Sequence, residues 1–172
     1  MKLYIGIDPG RLGAICVLYQ SGGLLWCADA PLSKGKLDPL EIGALVGRAM
    51  TREGVRVAIE EPQLRHAGPR KGKACGMGIK SAHSQGVGWG YWVGAFAARG
   101  VVCDVVSPQA WQLEVLGKKS KRKDNKARSV AYATEHWRVM ELHTPRGRVL
   151  DGRADAACIA EWCRRQAVGG GE

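Results

Sequence analysis

A chain of 172 residues, 45% apolar and 24% charged, suits one globular domain with one core and excludes a disordered tail, a collagen or a disulfide miniprotein. No apolar stretch nears the roughly 18 to 20 residues of a membrane helix, and Asp8-Pro9-Gly10 falls where a secretory signal needs its apolar core, so a soluble, cytoplasmic protein is expected. Twenty-six Lys and Arg against 16 Asp and Glu leave a net charge of +10, the mark of a polyanionic partner.

Leu3 to Ile7 is a short apolar run stopped by Asp8-Pro9-Gly10, and Ala14 to Tyr19 follows as a second strand. Ser21-Gly22-Gly23 is a hairpin turn before a third strand, Leu24 to Ala30. Pro39 to Glu53 reads as a helix, capped by Asp38, with Leu40, Ala44, Leu45 and Ala49 expected on one face. Val55 to Glu60 is a strand, and residues 61–80 read as a loop. A helix over Ala82 to Arg99 carries Ala82, Gly86, Gly90, Gly94 and Ala98 in one stripe, open to close backbone approach.

Val101 to Val106 is the next strand, and Ser107-Pro108 caps and opens a helix running to Leu116. A basic loop, Gly117 to Lys123, precedes a helix capped by Asp124 or Asn125 and ending near Arg138; a last helix begins near Asp151. The order predicts an α/β fold: a mixed five-stranded sheet, three antiparallel strands then two parallel, with helices on both faces. A single domain would cover residues 1–168, with 169–172 a frayed tail.

The excess charge is local. Residues 62–130 hold 13 basic and three acidic side chains, whereas the segments on either side are balanced. Arg65, Arg70, Lys71, Lys73 and Lys80 form one cluster; Lys118, Lys119, Lys121, Arg122, Lys123, Lys126 and Arg128 form another. Both are expected to contact phosphates, giving affinity without sequence choice. Trp89, Trp92, Trp111, Trp137 and Trp162 read as core. The six cysteines contain no Cys-x-x-Cys pair and read as reduced, mostly buried thiols; zinc held by Cys158, Cys163 and a histidine is the alternative.

The acids sit at element ends. Ile5-Gly6-Ile7-Asp8 and Val57-Ala58-Ile59-Glu60 share one alternation, so Asp8 and Glu60 would share a face if their strands run parallel and adjacent. Glu61 has the wrong parity and is the second choice. Asp151 and Asp155 lie one helical turn apart, and Asp155 runs straight into Ala156-Ala157-Cys158-Ile159-Ala160. Four carboxylates brought together repel unless hard divalent cations hold them. Such a cluster beside a basic surface suits two-metal phosphodiester hydrolysis.

Gly6-Ile7-Asp8-Pro9-Gly10, Ala58-Ile59-Glu60 and the late Asp-rich helix resemble, in order, the RuvC Holliday-junction resolvases of the RNase H-like superfamily. Ser107-Pro108-Gln109-Ala110-Trp111 and the lysine-rich Lys118 to Ser129 are more similar to its phage and organellar branch. The resemblance implies an endonuclease that cuts four-way junctions by paired symmetric nicks. It implies a homodimer with two Mg2+ per site (Mn2+ substituting) on Asp8, Glu60, Asp151 and Asp155, and a subunit contact along the small-residue stripe. Two features depart from the bacterial pattern: the last two acids are four apart instead of three, and Gln63-Leu64 stands where an aromatic wedge would be. That leaves Leu64, His66 or another residue to open the junction.

Two other classes compete. Gly-Ile-Asp-x-Gly also opens sugar kinases and actin-like ATPases, which need a much longer chain. A non-catalytic branched-DNA-binding protein of the same fold would have acids that merely hold a structural metal, or none.

Overall fold

The computed structural model describes residues 2–50, 54–62, 68–70, 73–75, 79–117 and 122–169, with the side chains of 68–70, 73–75 and 122–125 left aside. Three antiparallel strands open the chain: β1 (Leu3–Asp8), β2 (Ala14–Tyr19) and β3 (Leu24–Asp29). A small hairpin follows, β4 (Leu32–Ser33) and β5 (Lys36–Leu37). Its two-residue turn, Lys34-Gly35, has positive φ at both positions, the twist that two-residue hairpins favour.

Helix α1 (Pro39–Ala49) begins where Asp38 accepts the Leu40 and Glu41 N–H groups. The face it buries is Ile42, Val46 and Ala49, whereas Leu40 is 83% exposed and Ala44 is exposed. Of the expected face, Ala49 is buried and Leu45 packs on the core, while Leu40 and Ala44 are corrected. The Ile42–Val46–Ala49 ladder puts the branched side chains on the sheet, leaving Leu40 in the first turn to solvent.

Strand β6 (Val55–Glu60) pairs parallel with β1, and β9 (Cys103–Val106) pairs parallel with β6. The sheet order is β3-β2-β1-β6-β9, the predicted mixed sheet. Between β6 and α2 (Ile79–Ala97) the chain forms a second small hairpin, β7 (Gly68–Arg70) with β8 (Lys73–Cys75). The loop expected over 61–80 is therefore partly a strand pair, its alternation hidden by glycines and basic residues.

Three helices complete the chain: α3 (Pro108–Leu116), α4 (Arg122–His136) and α5 (Asp151–Gly169). Ser107 caps α3 by accepting the Ala110 N–H, and α4 starts inside the segment expected to be loop. No helix among the described residues is long and apolar enough to cross a membrane.

The sheet has two unlike faces. Ile5, Ile7, Ile15, Val17, Val57 and Ile59 pack against α1 and α2, through Trp92 and Phe96 above all. The opposite face packs α5 through Ala156, Ala157 and Ala160, with α3 and α4 beside it. Gly6 lies beneath α5, and a Cβ there would overlap the Ala156 carbonyl and the Ala160 nitrogen. Gly152 meets the Leu12 carbonyl in the same way. Gly152 thus seats the start of α5 on the β1–β2 turn, and Gly6 seats its next turns on β1.

Candidate active site

The parallel register aligns Gly6 with Ala58 and Ile7 with Ile59. Asp8 and Glu60 therefore end neighbouring strands on the same face. Gly6 brings α5 down on that face, so Asp155 and Asp151, in its first turns, stand at the same end of the sheet. The four acids border two lobes that meet at Asp8. One is lined by Asp8, Glu60, Glu61, Pro62 and Gln85; the other by Asp8, Lys126, Asp151 and Asp155, with Leu12 at its rim.

Electrostatics ties the cluster together. Burial pushes the Asp8 carboxyl up, and the charge on Asp151 adds to it, against a 3.1 Å hydrogen bond accepted from the Gly10 N–H. Burial, then repulsion from Asp8, raises Glu60 to about 8, while the hydrogen bond from Trp111 opposes the rise. Asp155 is raised to about 7 by burial, with Asp8 and Asp151 contributing and the Ser129 hydroxyl pulling the other way. A desolvated carboxylate beside its like is costly as an anion. The positive end of the α5 dipole offsets part of that cost.

Two partners were not assigned from sequence. Trp111, read as core, is 1% exposed, yet its Nε1 donates to Glu60 Oε2 at 2.7 Å. A buried indole N–H usually has an acceptor, the one signal that could have drawn attention to it. Lys126, placed among the phosphate contacts, is ion-paired with Asp151, and this bond raises its pKa. Nothing in the run of basic residues separates it from its neighbours.

The other expected DNA contacts are placed as follows. Lys80 is exposed in the first turn of α2. Arg128 donates to the Leu116 carbonyl at the end of α3. Arg70 and Lys73 lie on the β7–β8 hairpin, and Arg122 and Lys123 on α4. Arg65, Lys71, Lys118, Lys119 and Lys121 lie outside the described residues, as do Gln63, Leu64 and His66. Trp92, Trp111 and Trp137 are buried and Trp89 and Trp162 partly so, as expected.

Four carboxylates are a hard-oxygen donor set, and the raised pKa values mark a cluster that a cation would relieve. In chemistry the residues fit a divalent metal. As they stand, no three His, Cys, Asp or Glu side chains among the described residues converge on one ion position. The Lys126 ammonium is the cation that Asp151 now holds, through Oδ2.

A mixed sheet in this order, with acids ending its two adjacent parallel strands, is an RNase H-like fold. Among solved structures the chain is similar to RuvC of T. thermophilus in complex with Holliday junction substrate. The TM-score is 0.64 at 19% identity, over 99% of this chain and 97% of that one. A second structure of Thermus thermophilus RuvC gives 0.61 at 22% identity, over 98% and 96%. No family model and no curated protein matches the sequence. The fold is that of these RuvC structures.

Proposed function

We propose that the chain is a metal-dependent, structure-selective DNA endonuclease that resolves four-way junctions by paired symmetric nicks. The observation that carries this reading is the meeting of Asp8 and Glu60, on adjacent parallel strands, with Asp151 and Asp155 of α5 at one end of a RuvC-type sheet. Asp8 borders both lobes and would be the ligand shared by two Mg2+ ions, with Glu60, Asp151 and Asp155 completing the set. When bound, magnesium would make a water nucleophilic and stabilise the leaving 3′ oxygen.

The chain's own residues prepare that chemistry. Trp111 holds Glu60 in one orientation and favours its anion. Lys126 balances Asp151 and, once released, would be available to a phosphate. The basic residues of 62–130 would bind the DNA backbone and orient the junction.

Resolution by paired nicks calls for two sites. Gly86, Gly90 and Gly94 have open space where a Cβ would be, and Ala98 is exposed. This stripe supports a homodimer built on α2. The host compartment would be the cytoplasm of a bacterial or phage-infected cell, and one nuclease domain would span residues 1–168. A second reading, a non-catalytic branched-DNA-binding protein, is favoured by the Lys126–Asp151 pair, which supplies a cation without metal.

The test is cleavage of a labelled four-way junction and a matched linear duplex, with Mg2+ and with chelator. Symmetric nicks on the junction alone, lost with chelator, are the expected result. Tight junction binding with no nick would establish the second reading instead. Equal cutting of both substrates would keep the hydrolysis and remove the structural selectivity.

A further inference from the structure

Between the two acids of α5 stands a residue of opposite sign. Arg153 is two positions from both Asp151 and Asp155, about 200° round the helix from each, and lines neither lobe. A cation in the first turn of a helix opposes the helix dipole. Beside a cluster suited to divalent ions, it also repels the metal. Charge alone disfavours an arginine here.

Its contacts give it another part. Nε donates to Asp29 Oδ1 at 2.6 Å and Nη2 donates to Asp29 Oδ2 at 3.0 Å. Nη1 donates to the Glu141 carbonyl at 3.0 Å. With 19% of its side chain exposed, Arg153 is packed in place, unlike a solvated surface pair. Asp29 ends β3, the edge strand. The register runs from Asp8 to Ala14 to Asp29 across β1, β2 and β3, and Ala14 belongs to the core beneath α5. Both aspartates therefore share the face that α5 covers, about 10 Å apart. The first turns of α5 straddle three strands, with acids over β1 and Arg153 over β3. A two-pronged guanidinium–carboxylate bond fixes direction as well as distance, which a single ammonium does not.

We infer that Arg153 is a positioning residue for the acid cluster: its fork on Asp29 sets the rotation of α5 about its axis and so keeps Asp151 and Asp155 turned toward Asp8. The inference rests on the metal-dependent reading above and deepens it, because it gives control of the ligand geometry to a pair outside the ligand set.

The experiment measures Mn2+ binding without DNA, from the free-ion electron paramagnetic resonance signal, for chelator-stripped wild type, Arg153→Gln and Arg153→Lys. Asp104→Asn, which breaks the Arg56–Asp104 pair between β6 and β9, is the control, and each protein is assayed well below its Tm. Removing a positive charge beside the acids would by charge alone tighten Mn2+ binding. Arg153→Gln is instead expected to weaken it about tenfold. Arg153→Lys keeps the charge, loses the fork and is expected to weaken binding about fivefold, while Asp104→Asn stays within about twofold of wild type. Tighter or unchanged binding in Arg153→Gln overturns the inference, as does an equal weakening in Asp104→Asn. Should Arg153→Gln fail to fold, Arg153→Lys decides, and wild-type affinity in it overturns the inference. In each of these outcomes wild type still binds Mn2+ and the metal-dependent reading stands. Wild type that takes up no Mn2+ removes that reading and this inference with it.

Discussion

On one face of the sheet, Ile5, Ile7 and Ile59 meet Trp92 and Phe96, side chain against side chain. On the other, Gly6 meets the backbone of α5 at Ala156 and Ala160. The first face holds α1 and α2 away from the strands by the width of branched and aromatic groups. The second lets α5 come down almost to the sheet, which brings Asp155 within electrostatic reach of Asp8 and Glu60. Bulk supplies cohesion on one side; smallness brings the acids of the candidate site together on the other.

The sharpest way to break that comparison is to add bulk on the small side. Gly6→Val has no space to enter and is expected to cost about 3 kcal/mol or more, or to abolish cooperative unfolding. Ile5→Val, one residue away on the bulky side, is expected to cost about 0.5–1.5 kcal/mol. Denaturant melts measure both, and equal costs would remove the distinction between the faces.

The next test separates binding from the acid cluster. Replacing Lys118, Lys119, Lys121 and Lys123 by alanine is expected to weaken junction binding by roughly a hundredfold at low salt and to flatten its salt dependence. Titrations at several salt concentrations provide the slope. A slope equal to that of wild type would show that these lysines do not meet phosphates.

The smallest expected effect is on stability, and it belongs to the acid side alone. Glu60 is raised from 4.5 to about 8 and Asp155 from 3.8 to about 7. The folded chain therefore holds protons that the unfolded chain has released between those limits. Metal-free stability should fall as pH rises from about 4 to about 8. A melting temperature a few degrees lower at pH 8.5 than at pH 5.5 is expected, with Glu60→Gln reducing the difference and added Mg2+ raising the high-pH value most. A flat profile in chelator would contradict the raised carboxyls.

Much of this was legible in the sequence. Strand alternation gave the shared face of Asp8 and Glu60, and the local signals Asp38-Pro39 and Ser107-Pro108 marked two helix starts. What escaped depends on contacts between residues far apart in the chain. Trp111 meets Glu60 across 51 positions and Lys126 meets Asp151 across 25; neither partner carries a local mark of the other. On α1 the expected Ala49 and Leu45 do face the core, but Leu40 and Ala44 fit a helical stripe as well as Ile42 and Val46 do. Only packing on the sheet decides between them.

The central claim is that the acids cut and the basic surface binds. Its most direct test measures, on one four-way junction with Mg2+, both cleavage and affinity of Asp8→Asn against wild type. The account requires cleavage to fall by at least about a hundredfold while affinity stays within about twofold, since the basic residues proposed to meet phosphates do not include Asp8. Cleavage that survives the substitution would contradict it, and so would binding lost together with cleavage in a protein that still melts like wild type.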